Sequence, residues 1–522
     1  MADICIIGAD IGTTSLRVNL YGADGHHVAE GRVAHSAVHP RPGWAEMDAD
    51  LWWTGFCDGC RQALAQSSNP TSSIAALSIT HMRQTFVCVD TAMRPLRPAI
   101  LWYDTRCAAQ VEWAAQTIGR SHVYRRTGTP PTRRAIYKVM WLRDNEPEVF
   151  RKIHKVLFIS DFLIHRLTGN LVTCPGVAAT SGCLDVQQPT TWATDIIGAC
   201  QMPEDIWIKD ILPGGSVAGR VTTEAAQATG LPVGLPVVLA AGDQACGNLG
   251  GGVTTPGTLG INAGTSCALQ LLASRLPMDV NASSDEITHF VDYSPNGAYI
   301  AENGITAGGA ALLEWLRSGF ATDLDAEAER QGRVVWDMIY DDMVMATPPG
   351  NLGLMLVPFL RGANGPYWDP RARGILVGLL TSHSRNHLAR ALVEGLAYEA
   401  RRIANSLAAH TATGITGIHM YGGSSRSDVW NQTFADVLNS PVTTTETAEP
   451  VSLGAAICAG AGAGLYRDMA EAARMMVRIR RVYEPNPATA ALYERLYCEV
   501  YQHLYQKIAD LAHHLSVITS IP

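Results

Sequence analysis

The sequence predicts a two-domain α/β protein. Three observations point there: the length of the chain, an alternation of strand-like and helix-like segments, and a strand–turn–strand unit that occurs twice. At 522 residues the chain exceeds what one hydrophobic core normally organises, so two domains are expected. Hydrophobic residues make up 47% and charged residues 17%, the balance of a protein with a large buried interior. The 48 glycines and 27 prolines are dispersed, so they read as turns and close backbone approaches and not as a low-complexity block.

In chain order, residues 4–9 read as an apolar strand and Asp10-Ile11-Gly12-Thr13-Thr14-Ser15 as a turn. Residues 16–21 alternate as a second strand, and 28–34 form a third beyond the turn Ala23-Asp24-Gly25. Strand-like runs at 75–80, 86–89, 156–159 and 237–241 follow, with helical patterns between them. The glycine-rich stretch 247–257 is the natural boundary, giving an N-terminal domain over 1–248 and a C-terminal domain over 249–522. There the opening unit recurs: strand 257–262, turn Ala263-Gly264-Thr265-Ser266, strand 267–272. Apolar residues at three- and four-residue spacing predict helices over 387–407, 428–438 and 488–514. The Ala- and Gly-rich stretch 453–465 predicts a tightly packed buried helix.

Composition excludes several classes of partner. A net charge of −8 and a pI near 6.1 argue against nucleic acid, which favours a basic face. No apolar run reaches the ~20 residues needed to span a bilayer, and no charged segment followed by an apolar one stands at Met1. Twelve cysteines without an export signal suggest reduced thiols and a cytoplasmic location. Cys57 and Cys60 have CxxC spacing, but 48–64 reads as an amphipathic helix and no second pair stands at zinc spacing. They are expected to be packing cysteines.

Four segments carry chemistry. Asp10 closes a buried strand and is followed by Gly12, Thr13, Thr14 and Ser15, a set suited to phosphate and Mg²⁺; an ordinary hairpin capped by its own hydroxyls uses the same residues. The second hairpin, with Gly264, Thr265 and Ser266, favours phosphate, since two such turns can grip a polyphosphate from both sides. Asp243 follows the strand at 237–241 in Ala-Gly-Asp-Gln. It can serve as the base that takes a proton from an attacking hydroxyl, or as a helix N-cap. Gly422-Gly423-Ser424 precedes the helix at 428–438 and suits either a nucleotide or a plain loop.

Taken together, these segments resemble the FGGY family of carbohydrate kinases over nearly the whole chain. The first phosphate motif is similar to Asp10-Ile-Gly-Thr-Thr-Ser-Leu-Arg17, and a W-x-D-x-R motif to Trp102-Tyr-Asp104-Thr-Arg106. Ala241-Gly-Asp243 resembles the base motif, Gly264-Thr265-Ser266 the second phosphate motif, 374–399 the C-terminal signature, and Gly422 to Asn431 the adenosine motif. The resemblance implies two actin-like (ribonuclease H-like) ATPase domains with a cleft between them, ATP and Mg²⁺, and a sugar or polyol acceptor. It implies Asp243 as catalytic base and Asp10 beside the metal. Nucleotide contacts would come from Gly12, Thr13, Thr14, Ser15, Arg17, Gly264, Thr265, Ser266, Gly308, Gly309, Gly422, Gly423, Ser424 and Asn431. Arg83, Gln84, Trp102, Asp104, Asp243 and Gln244 would meet the substrate. A homodimer would suit the family. Xylulose kinases carry Met-His where this chain has Arg83-Gln84, while the Met82-Arg83 segment resembles autoinducer-2 kinases and Gly242-Asp243-Gln244 the glycerol-kinase pattern. Arg133 and Arg134 read as solvated surface charges or as pocket residues. Rival readings are an ATP hydrolase on the same fold and a non-catalytic sugar sensor.

Overall fold

A computed structural model describes residues 4–276, 289–305, 309–365 and 367–519. The chain divides into two compact units. The first comprises Met1–Thr255, Leu272–Ile300 and Glu449–Arg478; the second comprises Pro256–Leu271, Ala301–Ala448 and Ile479–Pro522.

The first unit is built on strands β1 (Cys5–Ile11), β2 (Ser15–Gly22), β3 (His27–Ala34), β4 (Ile74–His81), β5 (Val217–Arg220) and β6 (Pro236–Leu239). They lie in the order β5–β6–β4–β1–β2–β3. β1 pairs antiparallel with β2, setting Asp10 opposite Arg17, and parallel with β4, setting Asp10 opposite Thr80. All of β1 is buried, as the continuous apolar run requires for a central strand covered on both faces. On one face lies the helix Asp50–Gln66, with Trp52, Phe56, Cys57 and Cys60 turned into the core. Both cysteines are free thiols, the packing role expected of them.

The other face is covered by the helix Pro450–Gly462, which packs on β1, β4 and the helix Asp243–Gly250. Glycines make the approach possible: a Cβ at Gly8 would overlap the Ser452 carbonyl, and one at Gly454 the Cys246 carbonyl. A late stretch of chain, Glu449–Arg478, therefore completes the unit begun at the N-terminus, whereas a boundary at 248 assigns it to the C-terminal domain. Buried Ser452 links this helix to β2 by hydrogen bonds with Asn19 (2.8 Å) and Tyr21 (2.7 Å).

The second unit repeats the plan with β7 (Thr258–Ala263), β8 (Cys267–Ala273), β9 (Tyr299–Ile305), β10 (Gly417–Tyr421), β11 (Val442–Thr445) and β12 (Ile479–Tyr483). These lie in the order β9–β8–β7–β10–β11–β12. As in the first unit, an antiparallel hairpin (β7–β8) is extended by a strand parallel to its first member (β10). The helix Arg385–Thr411 is capped by Ser384 and runs past the expected end at 407. The C-terminal helix expected over 488–514 is two helices, Pro487–Leu496 and Gln502–Ile518, joined by a π-helical turn at Tyr497–Tyr501. That turn aims Tyr501 at Gly395 and Glu399, whose oxygens accept its hydroxyl at 3.2 and 3.0 Å. Among the described residues no helix is long and apolar enough to cross a membrane.

Candidate active site

Asp10 lies within β1, two residues before Gly12, and not in the turn itself. Its side chain is buried, and its Oδ1 has no hydrogen-bond partner among the described residues. Burial, reinforced by the negative charge of Asp243, pushes its carboxyl up to about 7; Arg17 opposes the rise. Gly12 closes the turn by donating its N–H to the Ser15 carbonyl at 3.0 Å. Thr13 is half-buried, Thr14 is exposed, and Ser15 is buried at the start of β2. Arg17 ion-pairs with Glu449 at 3.0 Å, while its Nε is buried without a partner among the described residues.

Asp243 is the first residue of the helix Asp243–Gly250, whose N-cap is Gly242, so it does not cap the helix. Its Oδ1 accepts the backbone N–H of Gln244 at 2.8 Å and lies 3.7 Å from Arg83 Nε. Thr80 anchors the preceding loop by donating its hydroxyl to the Ala241 carbonyl at 2.8 Å. Arg83 and Gln84 form the turn after β4, and Gln84 takes a left-handed φ of 64°, unusual for a residue with a side chain. The stem of Arg83 fills the place a side chain at position 242 would need. Its NH1 reaches Asp292 Oδ2 at 3.1 Å. Asp292 lies on the strand Phe290–Tyr293 and had no local signature; a lone Asp in a short apolar run is legible only as a buried charge in need of a partner.

Trp102 is 39% exposed and donates Nε1–H to Thr13 Oγ1 at 3.3 Å. Its backbone is held on both sides: its N–H donates to Thr85 Oγ1 at 3.1 Å, and its carbonyl accepts from Lys138 Nζ at 3.3 Å. Lys138 interrupts the apolar run 135–142 of the helix Ala135–Asn145, and that contrast was its available signal in the sequence.

Burial sets three of the named residues apart from the exposed ones. Asp104 is fully buried, and its oxygens accept from Arg106 Nε (2.9 Å), Arg106 NH2 (2.8 Å) and the Ala45 N–H (2.6 Å). Burial opposes its ionisation, yet Arg106 and the backbone donors outweigh this and hold the carboxyl below its usual range. Asp104 thus braces the loop behind Trp102. Asn431 is likewise fully buried and donates Nδ2–H to the Ser425 carbonyl at 2.8 Å, supporting the glycine loop from behind. Arg134 is buried, with its guanidinium 5.6 Å from the Phe290 ring, while its neighbour Arg133 is exposed.

In the second unit the glycine-hydroxyl segments meet at the carboxyl ends of β7 and β10. Ala310, at the start of the helix Ala310–Phe320, donates its N–H to the Gly264 carbonyl at 2.9 Å. A Cβ at Gly309 would overlap that carbonyl. Gly422 has φ of 96°, and a Cβ there would stand 2.8 Å from the Ala263 carbonyl carbon. Thr265, Ser266 and Gly423 are exposed; Ser424 is buried. A short 3₁₀ turn, Gly423–Arg426, separates these glycines from the helix Asp428–Leu438. Gly308 lies outside the described residues.

One strand order used twice, each time with a Gly-Thr turn after its first strand, defines the ribonuclease H-like, actin-like ATPase class. The N-terminal model of the FGGY family of carbohydrate kinases matches residues 5–250, and its C-terminal model matches 259–463. The chain belongs to the FGGY family of carbohydrate kinases. It is 25% identical over 502 residues to a xylulose kinase of Staphylococcus xylosus, covering 96% of this chain and 99% of that one. It is 29% identical over 496 residues to an autoinducer-2 kinase of Yersinia enterocolitica, covering 94% and 92%. A crystal structure of gluconate kinase from Lactobacillus acidophilus superposes with a TM-score of 0.86 at 26% identity, covering 97% and 98%. The chain is therefore an enzyme, a kinase that transfers phosphate from ATP to an alcohol group of a sugar or polyol.

Proposed function

We propose that this enzyme phosphorylates a hydroxyl of a small linear polyhydroxy ketone or polyol, ketopentose-like in size, with Asp243 as general base. The observation that carries this reading is the setting of Asp243. It stands half-buried at a helix start, 3.7 Å from Arg83, and its charge bears on Asp10. The acceptor oxygen bonds to the γ-phosphorus as its proton passes to the Asp243 carboxylate. The bond from that phosphorus to the oxygen bridging to the β-phosphate breaks, and ADP leaves. Arg83, Gln84 and Gln244 offer hydrogen bonds to the acceptor's hydroxyls, and the exposed face of Trp102 packs on its carbon chain. In the first unit the turn Gly12–Thr14, Ser15 and the buried Nε of Arg17 suit phosphate oxygens. In the second, Gly264, Thr265, Ser266, Gly309, Gly422, Gly423 and Ser424 suit the nucleotide.

Asp10 suits Mg²⁺, because its Oδ1 is buried without a hydrogen-bond partner among the described residues. Among those residues no group of three or more His, Cys, Asp or Glu is placed to hold a metal; Mg²⁺ commonly keeps several water and phosphate oxygens as ligands. Bound Mg²⁺ neutralises charge on the phosphates. The 29% identity to an autoinducer-2 kinase favours a second acceptor, the autoinducer-2-type polyhydroxy ketone.

The test is ADP release from the purified enzyme with ketopentoses, ketohexoses, tetritols, pentitols, glycerol and the autoinducer precursor. Activity is expected with a small subset of these, and Asp243→Ala is expected to lower kcat by about 10²–10⁴. A flat response across acceptors, or a variant keeping a tenth of the wild-type rate, would overturn the reading.

A further inference from the structure

Arg83 is clasped by two carboxylates of its own unit. On one side Nε stands 3.7 Å from Asp243 Oδ1; on the other NH1 stands 3.1 Å from Asp292 Oδ2. Asp292 is 4% exposed, and its Oδ1 accepts the backbone N–H of Tyr293 at 2.8 Å, so its carboxylate is held in one orientation. The Arg83 stem is fixed as well, packed into the space that Gly242 leaves. Arginine often binds anionic ligands through its planar fork. Here that fork already faces an internal anion that cannot leave. Among the described residues two carboxylates meet one guanidinium, and Asp10 adds a third acidic group that interacts with Asp243.

We propose that Asp292 is a positioning and specificity-determining residue: by compensating Arg83 beside Asp243, it makes the acceptor site select a neutral polyhydroxy substrate over the sugar acid of the same length. The inference rests on the reading of Asp243 as the base at the acceptor site. The similarity to a solved gluconate kinase makes the sugar acid the relevant competitor. A substrate carboxylate placed here meets Asp243 as a like charge, and the neighbouring guanidinium has no charge left to offset it. Neutral hydroxyls carry no such penalty and exchange hydrogen bonds with the same groups.

The experiment compares matched pairs on the full-length enzyme: xylulose against xylonate, and glucitol against gluconate. Product phosphate ester and ADP release are both followed. The wild type is expected to favour the neutral member in kcat/KM by about 100-fold or more. Asp292→Asn keeps an oxygen for Arg83 but removes the charge, and is expected to narrow the neutral-to-acid ratio at least about tenfold. A purely structural role would lower both members alike and leave the ratio where it was. Asp292→Ser provides the same reading should Asp292→Asn fold poorly, and the wild-type ratio stands without either. An unchanged ratio in the variants, or a wild type that prefers the acid, overturns the inference while leaving the kinase intact. Absence of turnover with every acceptor, neutral or acidic, would sink the sugar-kinase reading first and this inference with it.

Discussion

The ammonium nitrogen of Lys138 stands 2.6 Å from the carbonyl oxygen of Leu101, with the Trp102 carbonyl at 3.3 Å. A buried lysine thus ties down the loop that presents Trp102. Burial lowers its pKa to about 7. Lys138→Met is expected to destabilise the protein by about 1–3 kcal/mol, because two buried carbonyls lose their donor, and to raise the acceptor KM. Between pH 7 and about 10.5 the unfolded lysine binds a proton that the folded one has released. Wild-type stability relative to Lys138→Met should therefore rise with pH across that window. Denaturant titrations at pH 7, 8.5 and 9.5 check this; a gap constant in pH would contradict it.

Asp10 predicts the opposite slope. Its carboxyl is raised from 3.8 to about 7, so below pH 4 folding costs nothing on its account. As pH rises from 4 to 7, the unfolded chain gains by ionising and the folded chain does not. Asp10→Asn should therefore be more stable than wild type at pH 8, by up to about 4 kcal/mol. The advantage should shrink steadily as pH falls toward 4. Activity is expected to fall at least about 100-fold through loss of phosphate and metal handling. Thermal melts of both proteins across pH 4–8 give the answer, provided nucleotide and metal are left out.

Trp102 offers a cleaner separation of binding from folding, being 39% exposed. Trp102→Ala is expected to raise the acceptor KM about tenfold with little change in melting temperature, since an exposed side chain contributes little to the core. Trp102→Phe should recover most of the loss, because it restores apolar area and forgoes only the 3.3 Å hydrogen bond to Thr13. Steady-state kinetics at saturating ATP distinguish the two.

Gly454 links the stability of the first unit to catalysis. Its missing side chain lets the helix Pro450–Gly462 lie against the Cys246 carbonyl in the helix that begins with Asp243. Gly454→Val should cost about 1–3 kcal/mol or more by overpacking and lower kcat by displacing Asp243. A variant that is unstable yet fully active would refute the coupling.

Gly309→Ala probes the second unit alone. A Cβ at position 309 would push on the Gly264 carbonyl, disturbing the turn with Thr265 and Ser266. The KM for ATP is expected to rise at least about fivefold while the acceptor KM stays within twofold. Initial rates with each substrate varied in turn show whether the effect is confined to the nucleotide.

By itself the sequence determined the local chemistry. The hairpins around Gly12 and Gly264, the strand preceding Asp243 and the helix over 387–407 follow from alternation, turn residues and apolar spacing, which act over a few residues. Tertiary structure alone decided which polar groups face outward. Asp104 and Asn431 belong to recognisable motifs yet are fully buried supports, because spacing along the chain does not reveal which way a side chain points once elements pack. Pairing over long distances was equally hidden: Arg83 meets Asp292 across 209 residues, and Arg17 meets Glu449 across 432. The physical reason is the same in each case. A buried charge must find a counter-charge somewhere in the fold, and only packing decides where that partner stands.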